Sequence, residues 1–244
     1  MRKLTGVLLA GAMAVSLAAC GQAEEKSNTS KKAETEQTKE QTPENVMIKS
    51  FNGNKEEVNL EVPYNPERIA VLDMASLDIL DNLGMGDRVV GSASTSLEYL
   101  TDYVDNEEVA NLGTIKEADL EAVMECDPDV IFIGGRLASS YDALSEIAPV
   151  VFLSTESELG IVKSVTKNAE TIASMFGLED EVSKKTEGFD ERIKALKKTA
   201  EGKTALVGMT TSGSFNLMGN DGRCSIVGRE VGFENLTAVE STST

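Results

Sequence analysis

The stretch Asp119 to Arg136, DLEAVMECDPDVIFIGGR, restricts the fold more than any other part of the chain. Its first half reads as an amphipathic helix, Asp127-Pro128 stops that helix, and Val-Ile-Phe-Ile is a wholly apolar strand. A strand without a polar side chain must be buried on both faces, which is the situation inside a parallel sheet covered by helices. Gly134, Gly135 and Arg136 then fall at its carboxyl end, the edge where α/β sheets hold ligands. Arg136 is therefore the leading candidate for contact with a ligand. Gly134-Gly135 reads either as a simple turn or as backbone that lets a ligand approach closely. Glu121, on the helix that feeds the strand, is assigned to a different surface and a different partner.

The neighbouring segments repeat this alternation. Arg68 to Leu72 predicts a first core strand, Met74 to Leu83 a helix closed by Gly84, and Arg88 to Gly91 a second short strand. Ser92 to Asn111 is rich in loop residues. After Arg136, Ser139-Ser140 is expected to cap a helix running to Ile147, and Val150 to Leu153 forms another strand. Strands and helices at this spacing imply βαβ units and a mostly parallel sheet, so residues 46–177 form an N-terminal α/β lobe. Its start, Val46 to Val62, predicts a hairpin around Asn52-Gly53 with no functional role.

Ile161 to Phe176 predicts a helix ended by Gly177. From Leu178 to Ala200 the apolar residues share one helical face, so residues 178–202 are expected to form one long connecting helix. Gly188 is the point where it would kink or break, since glycine costs about 1 kcal/mol there relative to alanine. Thr204 to Met209 predicts a strand that Ser212-Gly213 turns into a second, Phe215 to Met218. Asn220-Asp221-Gly222 predicts another turn, followed by a short helix from Arg223 to Val231. Residues 203–244 are too few for a second complete α/β lobe, so they are expected to be the start of one in a chain truncated at its C-terminus.

Composition narrows the function. Lys+Arg 23 against Asp+Glu 41 gives a net charge of −18, which repels nucleic acid and anionic lipid. An anionic ligand would need local cations, and this raises the interest of each arginine. The chain has no histidine, which removes histidine-based triads, His-ligated zinc and the usual proton shuttle. Residues 1–20 carry Arg2 and Lys3, an apolar core from Val7 to Val15, and the ending Leu17-Ala18-Ala19-Cys20. This reads as a signal peptide, too short to span a bilayer, and its ending resembles the bacterial lipobox. On that resemblance Cys20 carries the acyl chains that anchor the protein to the membrane. Residues 21–45 are polar and form a disordered tether. Cys126 and Cys224 are expected to be buried, inert thiols.

Lipobox, tether, the segment PERIAVLDMASLDILDNLG, the organising stretch, the connecting helix and the start of a second lobe together resemble the ferric-siderophore-binding lipoproteins of iron-uptake ABC transporters, most closely the catecholate or petrobactin type. The resemblance implies two Rossmann-like lobes joined by a single helix, a ligand in the cleft between them, and a monomer. It implies that Arg136 and Arg223 bind the ferric siderophore from the two lobes, with Lys116 as a further candidate. Iron wrapped by catecholates is a bulky anion suited to guanidinium forks. Glu121 matches the glutamate that such lobes present to arginines of the permease. No cofactor is implied, and the iron is cargo.

Other readings stay open at this point. The same fold could carry haem, cobalamin or a ferric hydroxamate. Ser164-Val165-Thr166-Lys167 fits the Ser-x-x-Lys pattern of exported acyl-transfer enzymes, without the partner motifs of that class. A purely structural surface lipoprotein is the third.

Overall fold

The structure is a computed structural model, and it describes residues 43–219 and 224–236. Strands β1 (Asn45–Phe51) and β2 (Glu57–Pro63) form an antiparallel hairpin. Its loop is longer than the dipeptide turn predicted. Asn52 Oδ1 accepts from the amides of Asn54 and Glu56, and Lys55 takes the positive φ (63°) that the sequence suggested for Gly53. A side-chain acceptor at the loop's start replaces the two-residue turn because it satisfies two amides at once.

Next come β3 (Ile69–Leu72), helix α1 (Met74–Asn82), β4 (Val89–Ser92), the single turn α2 (Asp102–Asp105) and β5 (Ala110–Asn111). A small ribbon of β6 (Gly113–Thr114) and β7 (Glu117–Ala118) leads into α3 (Leu120–Glu125) and β8 (Val130–Ile133). The organising stretch therefore folds as predicted: Asp119 caps α3 by accepting from the Ala122 amide, and all four residues of β8 are buried. Helix α4 (Tyr141–Ser145), β9 (Val150–Phe152) and α5 (Ile161–Ser174) complete the lobe. Ser139-Ser140 caps nothing. A tight 3-10 helix starts directly after the strand, at Gly135, and runs into Ser140, whose side chain makes no capping bond. The turn right after β8 nucleates helical backbone before the serines are reached.

Five parallel strands make one sheet in the order β5-β4-β3-β8-β9. Alternate side chains feed two cores. Val71, Val130, Phe132 and Val151 pack with Leu77, Leu80 and Ile172, while Leu72, Ile131, Ile133 and Phe152 pack with Val123, Leu137 and Leu144. Burial on both faces explains why β3 and β8 are unbroken apolar runs. The hairpin is fastened to the edge strand β9 through buried Ser50, whose Oγ accepts the Phe152 amide at 2.9 Å. That bond uses an edge donor that would otherwise be open.

The segment expected to be one helix is two, α6 (Glu179–Thr186) and α7 (Phe189–Ala200). Glu187 has left the helix, φ −52° and ψ 128°, and Gly188 lies in the left-handed region, φ 82° and ψ 0°. Val182 is buried in the first lobe's core, whereas Leu196 on α7 is 47% exposed, so one straight helix would have to follow two different packing demands. Glycine is where the backbone yields.

Beyond α7, β10 (Thr204–Ala205) pairs in parallel with β13 (Glu234–Asn235), and β11 (Gly208–Thr211) pairs with β12 (Ser214–Leu217) around Ser212-Gly213. The predicted strand Thr204 to Met209 is thus split between two strands. The turn predicted at 220–222 lies outside the described residues.

Candidate binding site

Reading outward from β3, the chain places β4 and β5 on one side and β8 and β9 on the other. The strand order reverses between β3 and β8, and ligands of open α/β sheets bind outside the carboxyl ends at such a switch point. Leu72 pairs with Ile133 at this end, so the sheet delivers Asp73 on one strand and Gly134-Gly135-Arg136 on the other.

The first lobe holds three arginines, and the structure separates them. Arg68 donates to the carbonyls of Cys126 and Asp127, which ties the entry of β3 to the end of α3. Arg88 donates to Asn65 and to the Pro66 carbonyl, and its guanidinium stacks over the Phe176 ring at 5.6 Å. Both lie where strands begin. Arg136 lies where β8 ends, is exposed, and has no ion pair or hydrogen-bond partner among the described residues. It is the first-lobe guanidinium left to meet something outside the protein.

Lys116, exposed in the turn between β6 and β7, belongs to the same edge: β7 lies against the 3-10 helix that carries Arg136. Glu121 is exposed in the first turn of α3, where a negative charge favours the helix dipole. Arg223 and Cys20 lie outside the described residues. The expectation for the thiols holds in part. Cys126 is buried, and burial raises its pKa above the ordinary thiol value, while Cys224 is half-buried; both are free.

Sequence reasoning missed two polar positions at this edge. Asp73 follows β3, and Ser94, just beyond β4, donates its hydroxyl to the Gly113 carbonyl at 2.9 Å. Asp73 stands directly after a predicted strand, and that position was the available signal; Ser94 lies in the stretch read as loop.

The Ser-x-x-Lys pair is engaged elsewhere. Ser164 is buried with its Oγ accepting the Glu156 amide at 2.9 Å, and Lys167 Nζ sits 2.7 Å from Glu156 Oε1 and 3.5 Å from Glu57 Oε2. The two side chains fasten the loop after β9 to α5.

At the start of α5 the segment Ile226–Glu230 packs beside a cavity of about 400 Å³. Arg229 donates to the Ser157 carbonyl, and Glu230 Oε1 accepts the Val162 amide at 3.2 Å. Gly160 makes this possible: a Cβ there would lie 2.1 Å from Glu230 Oε1, and φ 82°, ψ 173° is backbone that only glycine adopts readily. Gly160→Ala is expected to lower stability by about 1 to 3 kcal/mol. Thermal unfolding checks this, and an unchanged midpoint would contradict the contact.

A parallel sheet with an open guanidinium at its switch point, followed by two helices and short paired strands, is the architecture of a solute-binding protein. The chain belongs to the periplasmic binding protein family, whose model matches residues 69–244. It is 35% identical over 233 residues to the petrobactin-binding protein YclQ of Bacillus subtilis (strain 168), covering 93% of this chain and 68% of that protein. It is 31% identical over 245 residues to the probable siderophore-binding lipoprotein YfiY of the same organism, covering 96% and 68%. Among solved structures, it resembles that of YclQ with a TM-score of 0.71 at 32% identity over 82% of this chain and 72% of that one. It resembles the periplasmic catecholate-siderophore binding protein VctP of Vibrio cholerae with a TM-score of 0.73 at 25% identity over 82% and 71%.

Proposed function

We propose that this protein captures a ferric siderophore of the catecholate type between its lobes and delivers it to an ABC permease, while anchored to the membrane through Cys20. The observation that carries this reading is Arg136, an exposed guanidinium without a partner among the described residues, at the switch point of a sheet whose other arginines are engaged. In a chain of net charge −18 an anionic ligand needs such local cations. Relatives described as binding petrobactin or siderophores support the ligand class. In this reading Lys116 adds charge at the same edge, and Arg223 answers from the second lobe.

The test is a titration of the purified protein with iron(III) complexes of catecholate and of hydroxamate, and with haem. The catecholate complex, the most strongly anionic, is expected to bind tightest and to weaken as salt rises, because screening acts on charge–charge attraction. Equal affinity for a neutral ferric hydroxamate would overturn the catecholate assignment.

Glu121 is assigned to the permease. Glu121→Ala is expected to leave ferric-catecholate affinity within about twofold while slowing cellular iron uptake several-fold, since removing one charge from an interface rim acts mainly on association. An equal loss in both assays would show that Glu121 serves the ligand site.

A further inference from the structure

Asp73 and Gly134 leave the sheet side by side, because Leu72 and Ile133 are paired at the ends of β3 and β8. Asp73 caps α1, and its Oδ2 accepts from both the amide and the hydroxyl of Ser76 at 2.9 Å. Two bonds to one oxygen fix the carboxylate and turn the other oxygen, Oδ1, toward Gly134. A Cβ on Gly134 would lie 2.6 Å from Oδ1 and 3.2 Å from Cγ, whereas unstrained contacts need about 3.5 Å. Moving the carboxylate aside would disturb its two bonds to Ser76. Gly134 itself has φ −107° and ψ 175°, extended backbone open to any residue, so glycine is required here by the neighbour and not by conformation. Gly135 differs: its nearest neighbour is the Phe152 ring at 3.9 Å, an ordinary contact.

We infer that Asp73 and Gly134 are positioning residues for Arg136. The cap of α1 is packed against the first residue after β8, so it sets where the chain turns into the 3-10 helix that carries the guanidinium two residues on. A binding residue so close to a fixed point loses little backbone freedom when its ligand arrives. The inference rests on the assignment of Arg136 to an anionic ferric ligand.

The test titrates iron(III) complexed with 2,3-dihydroxybenzoate into the wild type, Gly134→Ala, Asp73→Ser, the double variant and Arg136→Ala, with thermal unfolding run alongside. Gly134→Ala is expected to weaken binding about 3- to 30-fold, less than Arg136→Ala, because the guanidinium is displaced and not removed. Serine at position 73 keeps a capping hydroxyl but lacks the outer oxygen. In the Asp73→Ser background, adding Gly134→Ala is therefore expected to cost less than about twofold, the non-additivity of residues in contact. The same loss in both backgrounds would mean that the ligand itself touches Gly134, and no loss in either would mean that Gly134 positions nothing; each overturns the inference. If Gly134→Ala does not fold, Ser76→Ala carries the test by releasing one bond to Asp73. It is expected to weaken binding about 2- to 5-fold when Arg136 is present and not in the Arg136→Ala background, and equal effects in the two would overturn the inference. Binding that is absent from the wild type, or indifferent to Arg136→Ala, would instead overturn the assignment of Arg136.

Discussion

Arg136→Ala is expected to weaken ferric-catecholate binding by about 10- to 150-fold, since charge-assisted hydrogen bonds of this kind contribute about 1.5 to 3 kcal/mol. The size follows from position. Arg136 emerges from a strand buried along its whole length, so its backbone is held by the sheet before any ligand arrives. It has no partner among the described residues that binding would have to displace. Lysine keeps the charge and loses the planar fork, so Arg136→Lys is expected to fall between arginine and alanine. Arg68 and Arg88 provide the contrast. Each donates to main-chain carbonyls, so their replacement by alanine is expected to lower the unfolding temperature and to affect binding only through the fold. Quenching of intrinsic tyrosine fluorescence by the ferric complex is the measurement, the chain having four tyrosines and no tryptophan. Equal affinity of the alanine variant and the wild type, with both folded, would place Arg136 outside the site.

Cys20→Ala is expected to move nearly all of the protein from the membrane fraction to the medium, or to leave it as an uncleaved precursor. The described residues contain no helix long and apolar enough to cross a membrane, and the net charge of −18 opposes adsorption to anionic lipid. In the proposed reading the acyl chains on Cys20 supply the attachment. Each buried methylene contributes about 0.8 kcal/mol and stable anchoring takes two chains, so losing the residue that carries both is expected to act in one step and not by degrees. Fractionation of cells expressing the two forms, with labelled fatty acid followed into the protein, is the check. Unchanged retention of the alanine form would show another anchor.

Because a parallel strand must be apolar on both faces, IAVL and VIFI were legible as core strands, and the arginine beyond the second was legible as lying at the ligand edge. Glycine also marked the ends of the helices that close at Gly84 and Gly177, both at positive φ. These features depend on neighbours a few residues away. The turn after β8 was misread, because the choice between a loop with a serine cap and an immediate 3-10 helix depends on how Leu137 enters the core beneath Ile133 and Phe152.

The sequence by itself determined the α/β class, the strands β3, β4, β8 and β9 and the edge that bears Arg136, since local patterning and the rules of parallel sheets suffice for each; β5 fell in a stretch read as loop. Only the tertiary structure decided which arginines are already engaged, because Arg68 meets Cys126 and Asp127 some 58 residues away, and Arg88 meets Asn65 and Phe176 from different elements. It alone decided that the connector does break at Gly188, and that a side chain at Gly134 would meet Asp73, which follows a different strand. A side chain's partners across space are set by the register between strands, and no pattern of residues along one strand encodes them.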